Sequence, residues 1–441
     1  MDAAGTVGPG DLLVVDDRIA ALGAGVPAAL RQLPGGRPDR TFDASNALVT
    51  PGFVHAHLHL CQTLFRGLAE QSDLMRWLRE RIWPLEWQHT EESLAASVRL
   101  ALLEMLAGGV TCLNDMGTTR HTDVIGQVLA DTGMRATFGQ ALMDVGEGVP
   151  EGMAQPADVV LARALAVADR WHGRENGRLR VSLAPRFILS CSEGLWLDVR
   201  DAAKERGLIV HTHIAEAPTE GAEVKAAVGC HAAPYFAKHG VLSERFVGAH
   251  GVQLDEGEMD LVKDANAALV HCPGSNLKLG SGLADVKAWR AKGIRCGLGS
   301  DGAACNNRLD TFHEMGLAGG IARVKHREAP MSARDVLALA TIDGARALGI
   351  DGETGSLEVG KQADLAVTGI EGPRAAPFAA EDPYTALVFA ACPRDVILTV
   401  VAGRVLYERG TWPTLDPNRV NSEAKSEARA LVRRAESAGM K

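Results

Sequence analysis

The run PGFVHAHLHLCQ, residues 51–62, spaces three histidines two apart. On an extended strand that spacing sends His55, His57 and His59 to one face and Val54, Ala56, Leu58 and Leu60 to the other. Neutral imidazoles one residue apart on a strand can reach a single zinc or iron ion. A short HxH alone is a weak signal, because core and solvated histidines are common. Further along, VHTHIAE (residues 210–216) puts His211 and His213 on one strand face and Glu216 three residues past His213, where a loop begins. A carboxylate within reach of a metal-bound water is a good general base, whereas a solvated loop Glu does nothing. VGAHG sets His250 at a strand end before a Gly turn, and CGLGSDGAACNN sets Asp301 after a short strand at 294–298, where its carboxylate can meet the ion. Each feature alone has a structural reading. The order HxH, HxxE, H, D across successive strands is the specific signal.

The elements that must hold these residues read as an α/β alternation. Candidate strands end at His59, Asp115, Gly139, Arg186, His213, His250, Cys272 and Asp301, with helical stretches between them at 92–107, 158–171, 195–205, 255–264 and 283–292. Eight strands alternating with helices suggest a (β/α)8 TIM-type barrel over residues 51–354, with its active site at the C-terminal ends of the strands. A helical segment at 332–348 closes the barrel region. The strand-turn-strand pattern at 11–22 and the alternating runs at 355–367 and 395–410 point to a small composite β-sandwich domain from both chain ends, 1–50 with 355–415. Residues 416–441 form a helical tail, amphipathic by its Ala, Glu, Lys and Arg content, packed on the barrel or reaching a partner subunit.

With 441 residues, 46% hydrophobic and 23% charged, the chain can bury a large core, and one large domain with a smaller appendage is expected. A formal net charge of -9 argues against nucleic acid or an anionic membrane as the main partner. No basic segment followed by an apolar core opens the sequence, and no apolar run approaches the ~18 residues of a membrane span, so a cytoplasmic location is expected. The eight cysteines never form CxxC, which suits reduced thiols packed as small apolar residues, Cys61 beside the histidines among them.

At this point the sequence resembles the amidohydrolase superfamily, in the branch holding adenosylhomocysteine and methylthioadenosine deaminases, guanine and 8-oxoguanine deaminases, and triazine hydrolases. PGFVHAHLH, LFRGLAEQSDLMRWLRERIWPLE, HTHIAE, HCPGSNLKLGSGLADV, GLGSDGAACNNRLD and GSLEVGKQADL carry the resemblance over nearly the whole chain. It implies that His57, His59, His213 and Asp301 bind one divalent metal, Zn2+ or alternatively Fe2+. It also implies that Glu216 and His250 work on the metal-bound water and the substrate, with Asp301 carrying the second proton to departing ammonia. His55 stays outside the ligand set, and His211 and His271 are expected to be structural or to support the ligands. Relatives are commonly homodimers or larger, and they open with an additional β strand ahead of the segment matching residues 1–16, so the natural chain is expected to begin upstream of Met1.

The expected substrate is a small nitrogen heteroaromatic that loses an exocyclic amino group. Gln62 and Arg186, in APRFILSCSE, resemble the guanine deaminase residues that hold the edge of a keto-purine; physically, Arg186 offers fixed donors and Gln62 both a donor and an acceptor. These favour a guanine-, 8-oxoguanine- or pterin-like ring, with Arg186 as a structural ion pair the bland alternative. Glu86, in WPLE, resembles instead the Glu that meets ribose hydroxyls in the adenosylhomocysteine group, which makes an adenine nucleoside the first alternative. A triazine hydrolase and a non-catalytic barrel scaffold are further alternatives. Trp77, Trp83 and Trp87 could wall a flat ring or serve as packing.

Overall fold

Apolar runs rich in Val, Ile, Leu and Ala become the strands, and the polar, well-capped stretches between them become helices. The computed structural model describes residues 1–70, 73–374 and 380–440. In chain order the strands are β1 (Leu12–Val15), β2 (Arg18–Leu22), β3 (Ala47–Pro51), β4 (Phe53–His59), β5 (Val110–Asp115), β6 (Arg135–Leu142) and β7 (Leu179–Pro185). They continue with β8 (Ile209–Ile214), β9 (Phe246–His250), β10 (Ala268–His271), β11 (Arg295–Leu298), β12 (Asp301–Gly302), β13 (Leu365–Gly369), β14 (Val396–Val401) and β15 (Arg404–Glu408).

Strands β4 to β12 make one parallel sheet in sequence order, with β12 beside β4. The eighth staves of the barrel, β11 and β12, are one strand broken at Gly299 and Ser300: β11 pairs with β10, and β12 pairs with β4 through Asp301 opposite Leu58 and Gly302 opposite His59. The sheet therefore closes as the expected (β/α)8 barrel, with helices such as Glu91–Ala107, Ala157–Trp171 and Glu193–Arg206 on its outside. Thr90 and Ser93 form a capping box at the start of the first of these, satisfying amides that its opening turn would otherwise leave bare.

The expected alternation along β4 does not hold. The register between β4 and β5 slips by one residue between His55 and Leu58. Before the slip, Val54 and Ala56 pack with Cys112, Val247, Ala268 and Val270 in the barrel lumen, while His55 turns to Thr311 at the start of the helix Thr311–Lys325. Beyond it, His57 and His59 face inward. A bulge changes which face a side chain takes, and a period of two cannot reveal it. Strand β6 also runs on past Gly139 to Leu142, the 332–348 segment divides into Ala333–Leu339 and Ile342–Ala347, and of 355–367 only the residues from Leu365 join a strand.

Strands β15, β14, β13 and β3 form a separate antiparallel sheet, and the β1–β2 hairpin lies against it through Ile19, which packs on Leu365, Val367, Leu398 and Val400. Both chain ends thus build one small two-layered unit. The terminal helix Pro417–Ser437, capped by Asp416, buries Val420, Ala424, Leu431 and Ala435 along one stripe. That stripe joins a cluster with Leu74, Trp77, Leu78, Ile82 and Trp83. Among the described residues no helix is long and apolar enough to cross a membrane.

Candidate active site

The open end of the barrel gathers four residues from three strands. His57 and His59 on β4, His213 on β8 and Asp301 on β12 each offer one ligand atom, and these four atoms lie within 4.8 Å of one another. The Nε2 atoms of His57 and His59 stand 3.3 and 3.2 Å from Asp301 Oδ1, and His59 Nε2 is 3.2 Å from His213 Nε2. His57 Nε2 is buried without a hydrogen-bond partner. Three imidazole nitrogens and one carboxylate oxygen, aimed at one point, fit a divalent ion such as zinc or iron.

The far sides of the His213 and His57 rings are held, while His59 Nδ1 is buried without a partner. His213 Nδ1 lies 2.7 Å from the Arg186 carbonyl, to which it donates, leaving the Nε2 lone pair for the cluster. His57 Nδ1 meets His211 Nε2 at 2.8 Å, the supporting place expected of His211. His271, by contrast, lies edge-on to Trp289 among the outer helices. Burial lowers His57 to about 4 and His213 well below its ordinary value, so both stay neutral and able to ligate. Burial alone would raise the Asp301 carboxyl; the His57 and His59 imidazoles beside it outweigh that and hold it well below its ordinary value.

A group of three overlaps these four at Asp301. Glu216, His250 and Asp301 again bring their polar atoms within 4.8 Å of one another. His250 Nε2 is 3.4 Å from Glu216 Oε2 and 3.9 Å from Asp301 Oδ2. Asp301 Oδ2 also accepts from Ser275 Oγ at 2.7 Å and from Cys305 Sγ at 3.1 Å. His250 and Asp301 adopt φ of 79° and 61°, left-handed values that non-glycine residues rarely take and that concentrate at functional sites. Glu216 Oε1 has no partner, while the Glu216 amide donates to Glu220 Oε2 at 3.0 Å. Burial, followed by the Asp301 charge, pushes the Glu216 carboxyl well above its ordinary value, with Arg186 opposing. A carboxyl raised in this way holds a proton more readily than an ordinary Glu, as a group that relays one must.

An open cavity rises from these groups. Its polar lining is Gln62, Arg186 and Glu220 with His59, His213, Glu216 and Asp301; its apolar lining is Leu74, Trp77, Leu78 and Phe187. Trp77 therefore reaches the ligand space, whereas Trp83 packs near Phe187 and Trp87 lies under the Arg120 guanidinium. The three polar residues expected at the substrate, Gln62, Glu86 and Arg186, are joined to one another. Arg186 Nη1 and Nη2 donate to Glu86 at 2.6 and 3.3 Å, and Gln62 Nε2 donates to the same carboxylate at 3.3 Å. Ser275, Asn276 and Glu220 had not been singled out as site residues, although HCPGSN carries the first two.

The amidohydrolase family model matches residues 48–406. The chain belongs to the amidohydrolase family. Among its relatives, this amidohydrolase is 35% identical over 399 residues to a 5-methylthioadenosine/S-adenosylhomocysteine deaminase of Natronomonas pharaonis, covering 90% of each chain. In fold it matches a zinc-bound adenosine deaminase from Xanthomonas campestris at 30% identity with a TM-score of 0.88, over 96% of this chain and 93% of the other. It also matches the E. coli guanine deaminase, at 26% identity and a TM-score of 0.78, over 90% and 92%.

Proposed function

We propose that this amidohydrolase is a metal-dependent deaminase of adenine nucleosides, of the adenosylhomocysteine, methylthioadenosine or 5'-deoxyadenosine kind. One observation carries the choice of ring: Arg186 and Gln62 turn their donors onto the buried Glu86 carboxylate, so the cationic fork expected to read a keto-purine is already engaged. The preference for a guanine- or pterin-like ring gives way on that ground. The nucleoside alternative is further supported by the 35% identity to the Natronomonas pharaonis deaminase, against 26% to the E. coli guanine deaminase. Trp77 and Phe187 supply flat apolar surface for a purine or for its 5' substituent.

His57, His59, His213 and Asp301 are the residues that would hold the ion, and zinc is the reading supported by the zinc-bound Xanthomonas relative. When bound, such an ion lowers the pKa of its water from 15.7 to about 7 and so supplies hydroxide at neutral pH. The remaining work belongs to side chains. Glu216 takes the proton of the attacking water and delivers it to a ring nitrogen, making the amine-bearing carbon electrophilic. His250, through the Nε2 lone pair, accepts a hydrogen bond from the attacking water and aligns it on that carbon. Asp301, through Oδ2, passes the second proton to the departing ammonia. Each positioned transfer contributes roughly 10²- to 10⁴-fold.

The test is ammonia release by the zinc-loaded protein from adenosylhomocysteine, methylthioadenosine, 5'-deoxyadenosine, adenosine, guanine, 8-oxoguanine and a pterin. Turnover of the adenine nucleosides is expected. Turnover confined to keto-purines or pterins would overturn the reading.

A further inference from the structure

We infer that Asn276 is a positioning residue that fixes the proton of His250 on Nδ1 and so keeps the Nε2 lone pair turned to the reacting groups. The inference deepens the deaminase reading and rests on it for the role of His250. The local geometry carries it.

His250 is fully buried, and its two ring nitrogens face different groups. One edge is the site, where Nε2 stands 3.4 Å from Glu216 Oε2 without a hydrogen bond. The other is Asn276, whose Oδ1 lies 2.9 Å from Nδ1. A neutral imidazole carries one proton for two nitrogens, and the nitrogen that finds an acceptor keeps it. With Nδ1 donating to Oδ1, Nε2 is left to accept. Without that oxygen, a buried imidazole would be free to move its proton to Nε2 and present a hydrogen where a lone pair is needed.

Asn276 is itself held as a part with one purpose. Its Nδ2 is buried with no partner, so the amide is retained here for its oxygen. It lies on the short helix Pro273–Lys278, whose Gly274 amide donates to Glu314 Oε2 at 2.9 Å. Glu314 Oε1 in turn accepts from Asn306, which also bonds the Ser300 carbonyl at 2.7 Å. A Cβ on Gly274 would fall 2.6 Å from both Asn306 and Glu314, so only glycine lets the helix sit this close. Adjacent residues of one turn then serve the two proton-handling groups: Ser275 on Asp301 and Asn276 on His250.

The experiment uses zinc-loaded protein labelled with ¹⁵N-histidine, with N276A, N276D and H250Q beside the parent. The His250 signals are those missing from H250Q. In the parent they should show the proton on Nδ1. In N276A, kcat should fall about 10²-fold with KM within about twofold, and the Nδ1 proton signal should disappear. N276D keeps an acceptor at the same point and should restore the signal and at least tenfold of the lost rate. Asp as damaging as Ala, or a parent His250 protonated on Nε2 alone, would overturn the inference. Should N276A fail to fold, N276D against the parent still decides. If no nucleoside is turned over, the deaminase reading fails, while the proton position on His250 still decides this one.

Discussion

The guanidinium of Arg186 and the carboxylate of Glu86 close on each other at 2.6 and 3.3 Å across 100 residues of sequence, both sealed from water. Burial alone would raise the Glu86 carboxyl; the neighbouring Arg186 charge outweighs it and keeps the group ionised. Removing one partner leaves the other as a bare buried charge, at a cost of about 3–5 kcal/mol, whereas replacing both by apolar residues of similar volume is often nearly neutral. Urea denaturation should therefore find Arg186→Ala and Glu86→Ala each strongly destabilised, and the double variant Glu86→Leu, Arg186→Met milder than either. A double variant worse than both singles would contradict this account.

Glu216 lies outside the four-residue cluster and carries an oxygen with no partner. Glu216→Gln keeps the shape and loses the proton transfer. We expect kcat to fall by about 10²- to 10⁴-fold while bound zinc, measured by atomic emission, stays at the parental level. Loss of zinc along with rate would assign Glu216 to the ion instead.

Asp301→Ala should do the reverse. It removes the one carboxylate donor of the cluster and leaves three imidazoles facing one another. Zinc content should drop, and the melting temperature should cease to respond to added zinc, because a ligand that binds only the folded state stabilises it in proportion to its affinity. A chelator should lower the melting temperature of the parent and leave the variant unmoved.

Glu314 gives the fold a pH dependence of its own. Burial raises its carboxyl from an ordinary 4.5 to about 8, against the opposing hydrogen bonds of Asn306 and Gly274. The folded state thus holds a proton that the unfolded chain releases above 4.5, and stability falls as pH rises from about 4.5 to about 8; below that window both states are protonated and the effect vanishes. Each pH unit inside the window is worth about 1.4 kcal/mol for this group. Glu314→Gln should flatten that part of the stability profile in denaturant titrations, and an unchanged slope would show that the carboxyl titrates normally.

Much of the site was legible because its chemistry restricts residue type: His57, His59, His213, Glu216, His250 and Asp301 stand at strand ends where apolar residues would otherwise serve. The hidden parts depended on spatial relations that no local pattern carries. The register slip that turns His55 outward shows only once β4 is laid beside β5. The pairing of Arg186 with Glu86 joins β7's end to a helix far upstream, so Arg186 read alone looked free for a substrate carbonyl. Asn276 and Ser275 were ordinary polar residues until the fold set them against His250 and Asp301. The two-layered unit from both chain ends was readable from its Gly turns and alternating apolar residues, because strands of a half-exposed sheet display their period.

The barrel is joined to itself by only two residues, Asp301 and Gly302 beside Leu58 and His59. That joint is as short as any stretch of ladder in the ring, matched by the two pairs between β7 and β8, and the proposed ligands sit on both of its banks. An ion bound there would act as a clasp, tying the first stave to the last across more than half the chain.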